Sequence, residues 1–162
     1  MIEKLYIDGE VYQGGELKKL NLGTKEGKIV YIGFDKPNAI ETIDCNGLTI
    51  LPGIIDTQVH FRDPGASHKE DLATGSRAAA LGGVTTFFDM PNTSPSTTNK
   101  EELRKKISMA NEKCLTNFGF FIGATEDNHD EIKRVVGMEG LCGVKIFLGS
   151  STGDLLLEKI GR

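Results

Sequence analysis

The residues predict an α/β protein in two parts: a β-rich segment over residues 1–50 and a succession of β-α units over residues 51–162. Three observations carry that expectation. Short apolar stretches broken by Asp8-Gly9, Gly14-Gly15 and Gly27 fill the first segment, and such dipeptides between apolar runs are hairpin signals. From residue 48 onward, apolar β-branched runs alternate with longer Ala-rich or amphipathic runs, the texture of strands alternating with helices. The boundaries carry stop and start residues, with Gly82-Gly83 after one such run and Asn99 before the next.

In the first segment, strands are expected over residues 4–7, 10–12, 17–22 and 28–32, forming a small β-sandwich or sheet with a structural role. The second part opens with a strand over 54–61, whose apolar run ends at Pro64-Gly65. A polar loop leads to a helix over 70–81, and residues 84–90 form the next strand. After the loop 91–98, Asn99 caps a helix over 100–114, followed by a strand over 117–124. Asp127 or Asn128 caps a helix over 131–138, residues 143–148 form a fourth strand, and 154–160 begin a fourth helix. Four successive units argue for parallel strands with helices outside. Two architectures satisfy this, a complete four-stranded open sheet or half of an eight-unit barrel, which takes about 250 residues. In the half-barrel, the strands over 54–61 and 143–148 are unpaired edges, so association, poor solubility or a covering segment is expected.

Composition narrows the classes. Apolar residues make up 38% and charged residues 26%, values of a globular protein, and a net charge of −4 offers no basic footprint for nucleic acid. No apolar run approaches the roughly 20 residues a membrane helix needs, and no charged-then-apolar leader opens the chain, so a cytoplasmic location is expected. Cys45, Cys114 and Cys142 are scattered without a C-x-x-C pair and read as buried thiols, with neither disulfide nor zinc site implied.

The residues that could carry chemistry gather where the strands end. Along 54–61 side chains alternate, which puts Gln58, His60 and Arg62 on one face and Thr57, Val59 and Phe61 on the other. An imidazole is a metal donor, and a guanidinium makes paired hydrogen bonds to a carboxylate; alternatively Arg62 pairs with Asp63, Glu70 or Asp71. Asn92 follows the second strand in Met90-Pro91-Asn92-Thr93, where a Pro-Asn pair by itself is a turn. Lys145 interrupts an apolar strand, where a lysine is paired, modified or reaching for solvent. Asp56 reads as a supporting carboxylate or an inward strand residue, His68 as a loop residue and His129 as an exposed helix residue.

The stretches PGIIDTQVHFRDPG and HKEDLATGSRAAALGGVTTFFDMPNTSP resemble a dihydroorotase of the amidohydrolase superfamily. The motif there is Asp-x-His-x-His-x-Arg, with both histidines on metal; here His60 holds the second position and Gln58 the first. The resemblance implies the first half of a (β/α)8 barrel preceded by a small N-terminal β-sandwich segment. It implies zinc, one ion or two, with His60 as a ligand, Lys145 as a carbamate bridging two metals and Gln58 as a weak substitute donor. Arg62 and Asn92 would hold the carboxylate of dihydroorotate or N-carbamoyl-aspartate. The proton-transferring aspartate and two further histidines belong to later strands in that family, so this segment is expected to be inactive alone.

Three functions stay open on this reading. One is a dihydroorotase of pyrimidine synthesis; another is a hydantoinase or allantoinase. A third is a non-catalytic relative, suggested by Gln58, that supports a partner such as aspartate transcarbamoylase. Homo-oligomerisation or a covering C-terminal segment is expected in each case.

Overall fold

Seven short strands occupy the first fifty residues: β1 (Ile2–Ile7), β2 (Glu10–Gln13), β3 (Glu16–Lys19), β4 (Asn21–Lys25), β5 (Lys28–Gly33), β6 (Ala39–Asp44) and β7 (Thr49–Ile50). The computed structural model describes residues 1–149 and 155–157. The chain divides into two compact units, Met1–Pro52 and Gly53–Arg162.

In the first unit, one sheet has the order β5-β4-β1-β6 and the other β3-β2-β7. Val11, Leu20 and Leu22 are buried between them with Tyr6 and Ile50 against the cluster, so both sheets share one core. Gly14-Gly15 and Glu26-Gly27 turn the hairpins β2–β3 and β4–β5 with positive φ at both central residues. Asp8-Gly9 does not make a hairpin. β1 pairs with β4 and β6 while β2 pairs with β3 and β7, so the chain changes sheet at Asp8. Asn21 explains why that corner holds: its side chain accepts the Asp8 N–H at 3.1 Å and donates to the carbonyls of Phe34 and Asp35, each at 3.0 Å.

The second unit is built on β8 (Ile54–Val59), β9 (Val84–Asp89), β10 (Asn117–Gly123) and β11 (Leu141–Lys145), all parallel, in the order β11-β10-β9-β8. The connecting helices are α1 (Leu72–Leu81), α2 (Lys100–Lys113) and α3 (His129–Val135). Strand order follows chain order without a switch, and all three helices contribute to one core. Leu72, Leu103, Ala110 and Val135 pack there against Phe87, Phe120 and Ile122 of the strands, with Val59 and Phe61 at its margin. Phe88 and Phe121 pair with each other edge-on, at 6.4 Å between centroids.

Local chemistry sets the helix limits. Asp71 caps α1 by accepting the Thr74 N–H at 2.7 Å, so the helix starts at Leu72 rather than at residue 70. Asn99 caps α2 by accepting the Glu102 N–H at 2.9 Å, and Glu101, Glu102 and Lys113 match the helix dipole at its two ends. Asn128 stands at the start of α3 without capping it. Its side chain instead accepts the Thr125 N–H and donates to the carbonyls of Thr98 and Gly123. The fourth helix expected over 154–160 meets a different conformation where it is described: Leu156 bridges to Phe147 and the Leu157 N–H donates to the Phe147 carbonyl. The rest of that stretch lies outside the described residues. The three cysteines are free, and burial pushes the Cys142 thiol up to about 11, which favours its protonated form at neutral pH.

Candidate functional site

β8 ends at Val59, whose carbonyl accepts the Met90 N–H at 3.0 Å, and two residues later the Phe61 N–H donates to Asp89 Oδ1 at 3.1 Å. Val59 and Phe61 turn toward the helix-covered core, so His60 between them turns the other way. There its Nδ1 lies 2.9 Å from Oδ1 of the buried Asn92. An amide oxygen only accepts, so Nδ1 is the donor, and in the neutral ring that leaves the lone pair on Nε2. The fold thus joins two residues that lie in separate loops of the sequence.

Arg62 departs from the expected pattern. Its φ of 60° takes it off the path of the strand, so alternation no longer places it on a face with Gln58 and His60. It is half-buried, and the carboxylates offered as alternative partners are occupied elsewhere. Asp63 pairs with Lys113 at 2.8 Å, while Glu70 and Asp71 both bond the Thr74 hydroxyl. Gln58 is exposed, and its backbone N–H donates to Asp56 Oδ1 at 3.0 Å. Lys145 is half-buried at the end of β11, its ammonium over the Phe147 ring at 5.2 Å from the centroid. His68 and His129 are exposed.

The loops carrying Arg62 and Asn92 are bound to each other. Ser94 N–H donates to the Pro64 carbonyl at 3.1 Å, and Gly65, at φ 103°, lies so close that a Cβ there would collide with the Ser94 carbonyl and side chain. On the other side of Asn92, the Thr97 N–H donates to Pro91 and the Thr97 carbonyl accepts from Gly123, each at 2.9 or 2.8 Å. The ends of three strands are therefore fastened into one rim.

Sequence reasoning missed the anchor beneath that rim. Asp89 and Lys106 are both almost fully buried, with Nζ 2.6 Å from Asp89 Oδ2 and 2.9 Å from the Met90 carbonyl. The ammonium also lies 5.0 Å from the Phe120 ring centroid. Burial pushes the Lys106 ammonium down, and Asp89 acts against that shift. The signal was available: α2 buries Leu103, Lys106 and Ala110, so a lysine occupies a core-facing position of an amphipathic helix.

Asp63, next to Arg62, is a second buried carboxylate. Burial raises its pKa, but bonds from Lys113, the Ser67 hydroxyl and the Leu72 N–H outweigh this and hold it below the usual carboxylate range. Its bond to Asp63 in turn raises Lys113. A carboxyl lowered by folding adds stability above its unfolded pKa, and that stability is lost as pH falls through the folded value. A lysine raised by folding adds stability below its unfolded pKa, lost as pH rises through the folded value. Asp63→Asn is therefore expected to destabilise at neutral pH, with the deficit shrinking below about pH 4. Urea midpoints of both proteins at about pH 7 and about pH 3 check this; a deficit of equal size at both would remove the charge from the explanation.

Among the described residues, no three His, Cys, Asp or Glu side chains converge as metal ligands would. His60 Nε2 is one suitable imidazole donor, whereas Gln58 is exposed and the Lys145 ammonium lies over a ring. The described residues therefore do not by themselves fit a metal centre, which takes three or four protein donors.

Known proteins place this geometry in context. A family profile described as dihydro-orotase-like matches residues 47–138. The dihydroorotase of Methanothermobacter thermautotrophicus is 48% identical over 149 residues, covering 87% of this chain and 33% of that protein. The allantoinase of Solibacter usitatus is 36% identical over 152 residues, covering 93% and 33%. Among solved structures, an L-hydantoinase (dihydropyrimidinase) from Arthrobacter aurescens superposes with a TM-score of 0.89 at 26% identity, covering 96% of this chain and 35% of that one. The chain thus spans about a third of the length of these relatives.

Proposed function

Because this chain belongs to the dihydro-orotase-like family, we propose that it forms the N-terminal part of a metal-dependent cyclic amidohydrolase whose substrate is dihydroorotate. In this reading β8 to β11 are the first half of a (β/α)8 barrel, and the rim at their C-terminal ends is part of the active site. The observation that carries it is the His60–Asn92 hydrogen bond at 2.9 Å beside Arg62, at the ends of adjacent parallel strands.

The reaction adds water across a cyclic amide: the carbonyl carbon gains an oxygen, the ring C–N bond breaks and the nitrogen takes a proton. This chain's residues bind and orient. Arg62 forms paired hydrogen bonds to the substrate carboxylate, a group present in dihydroorotate and absent from allantoin and hydantoin. Asn92 fixes the His60 ring so that Nε2 presents its lone pair to the site. A bound zinc would supply Lewis-acid activation, and we assign its remaining ligands and the proton-transferring carboxylate to parts of the protein beyond these residues. Gln58 and Lys145 remain proposed ligands only on that larger assembly. A cytoplasmic setting and a homo-oligomer or an aspartate transcarbamoylase complex go with this proposal.

The second reading, an allantoinase or hydantoinase, is favoured by the 36% identity to an allantoinase and the close superposition on a hydantoinase. The higher identity to a dihydroorotase supports the first.

The test is ring opening of dihydroorotate, allantoin and hydantoin side by side by the protein that carries this segment. Dihydroorotate is expected to be preferred, with Arg62→Ala raising its KM roughly 10- to 150-fold, the loss of one charged hydrogen-bonding pair of about 1.5–3 kcal/mol. An unchanged KM takes Arg62 out of the role. Turnover of allantoin or hydantoin without dihydroorotate moves the assignment to the second reading.

A further inference from the structure

The contacts of the buried Lys106 lead to the backbone on both sides of the His60–Asn92 pair. Its ammonium grips the carbonyl of Met90, two residues before Asn92, at 2.9 Å, and Asp89 Oδ2 at 2.6 Å. The other oxygen of Asp89 accepts the N–H of Phe61, the residue directly after His60, at 3.1 Å. A chain of three short contacts therefore runs from the helix α2 to the ends of β8 and β9. Those two ends carry His60 and Asn92, and the Ser94–Pro64 and Thr97–Pro91 bonds fasten the loops beyond them. We infer that Lys106 is a positioning residue: through Asp89 and the Met90 carbonyl it sets the strand ends at the separation at which His60 Nδ1 donates to Asn92, and so selects the imidazole tautomer.

The consequence is chemical. A free imidazole exchanges its proton between both nitrogens, and one held by an amide oxygen at Nδ1 keeps Nε2 as the lone-pair nitrogen. Helix α2 thus bears on which nitrogen the site is offered, through Lys106 beneath the rim. A core lysine serving stability alone would leave the tautomer untouched when replaced by a neutral, folded alternative. The inference rests on the cyclic-amidohydrolase reading for its catalytic meaning and on the contacts above for its geometry.

The experiment is nitrogen NMR of the chain labelled with 15N-histidine, the His60 signals being identified by their loss in His60→Gln. The wild-type chain is expected to show a protonated Nδ1 and a lone-pair Nε2. Lys106→Met/Asp89→Asn removes both buried charges while keeping an acceptor for the Phe61 N–H, and it is expected to lose that pattern for the averaged signals of a solvated ring. Where that variant does not fold, Lys106→Arg, which keeps the charge and changes the reach, is read in the same way. An unchanged His60 pattern in either folded variant overturns the inference and leaves Lys106 a stabilising residue only. The readout needs no substrate, so a failure of the functional reading appears separately, as absence of ring opening by the wild-type protein.

Discussion

Lys106→Met is expected to lower the unfolding free energy by about 3–5 kcal/mol, the cost of leaving one member of a buried ion pair without its partner. Methionine fills a similar volume, so the loss comes from electrostatics rather than from a cavity. In the variant, Asp89 Oδ2 faces a dry interior and the Met90 carbonyl loses its donor, because both are served by the same ammonium. Adding Asp89→Asn removes the stranded charge and keeps the Phe61 N–H satisfied, so the double variant is expected to recover much of the loss. Urea denaturation of the wild type, the single and the double variant decides it. A single-variant loss below about 1 kcal/mol would mean that water reaches the pair and that the contact has the worth of a surface ion pair.

Phe87→Ala is expected to cost a similar amount, about 3–5 kcal/mol, through lost transfer energy and the cavity left behind. Phe87 is fully buried in the core shared by the three helices, with its ring 4.7 Å from that of Phe61 and 6.4 Å from that of Phe118. Phe61 in turn packs against α1 where Gly75 has no side chain; a Cβ there would sit 2.7 Å from the Phe61 ring. Helix α1, Phe61 and Phe87 are thus one packed stack, and Phe61 lies between His60 and Arg62. A chemical-denaturation loss of less than about 1.5 kcal/mol would show that the stack collapses into the space without cost. A full loss accompanied by movement of the His60 signals would tie core packing to the rim directly.

The elements of the second unit were legible because their signals are local. The β-branched run over 84–89, the Asn99 cap and the amphipathic stretch after it need no knowledge of the rest of the chain. The family resemblance was equally local, resting on contiguous letters from residue 52 to residue 95. Gln58 at a position where the motif has a histidine, and His60, Arg62 and Asn92 at motif positions, were all visible in that run.

Other features were invisible for a physical reason. The Asp8-Gly9 pair has the residues of a hairpin, yet pairing partners far along the chain send β1 and β2 into different sheets. Asn128 has the identity of a cap, but its amide is used by Thr98, Gly123 and Thr125. Arg62 lies in a strand-like stretch whose alternation ends with a left-handed residue.

The sequence by itself determined the α/β class, the parallel units, the family and the types of side chain available for the site, because periodicity, caps and contiguous motifs are properties of neighbouring residues. Only the tertiary structure decided that His60 donates to Asn92, that Arg62 leaves the strand's face, and that Lys106 and Asp89 lie buried together beneath them. The first and last of these depend on contacts between residues 32 and 17 positions apart. Whether a charge is partnered is settled by what the fold brings against it, and no local pattern carries that information.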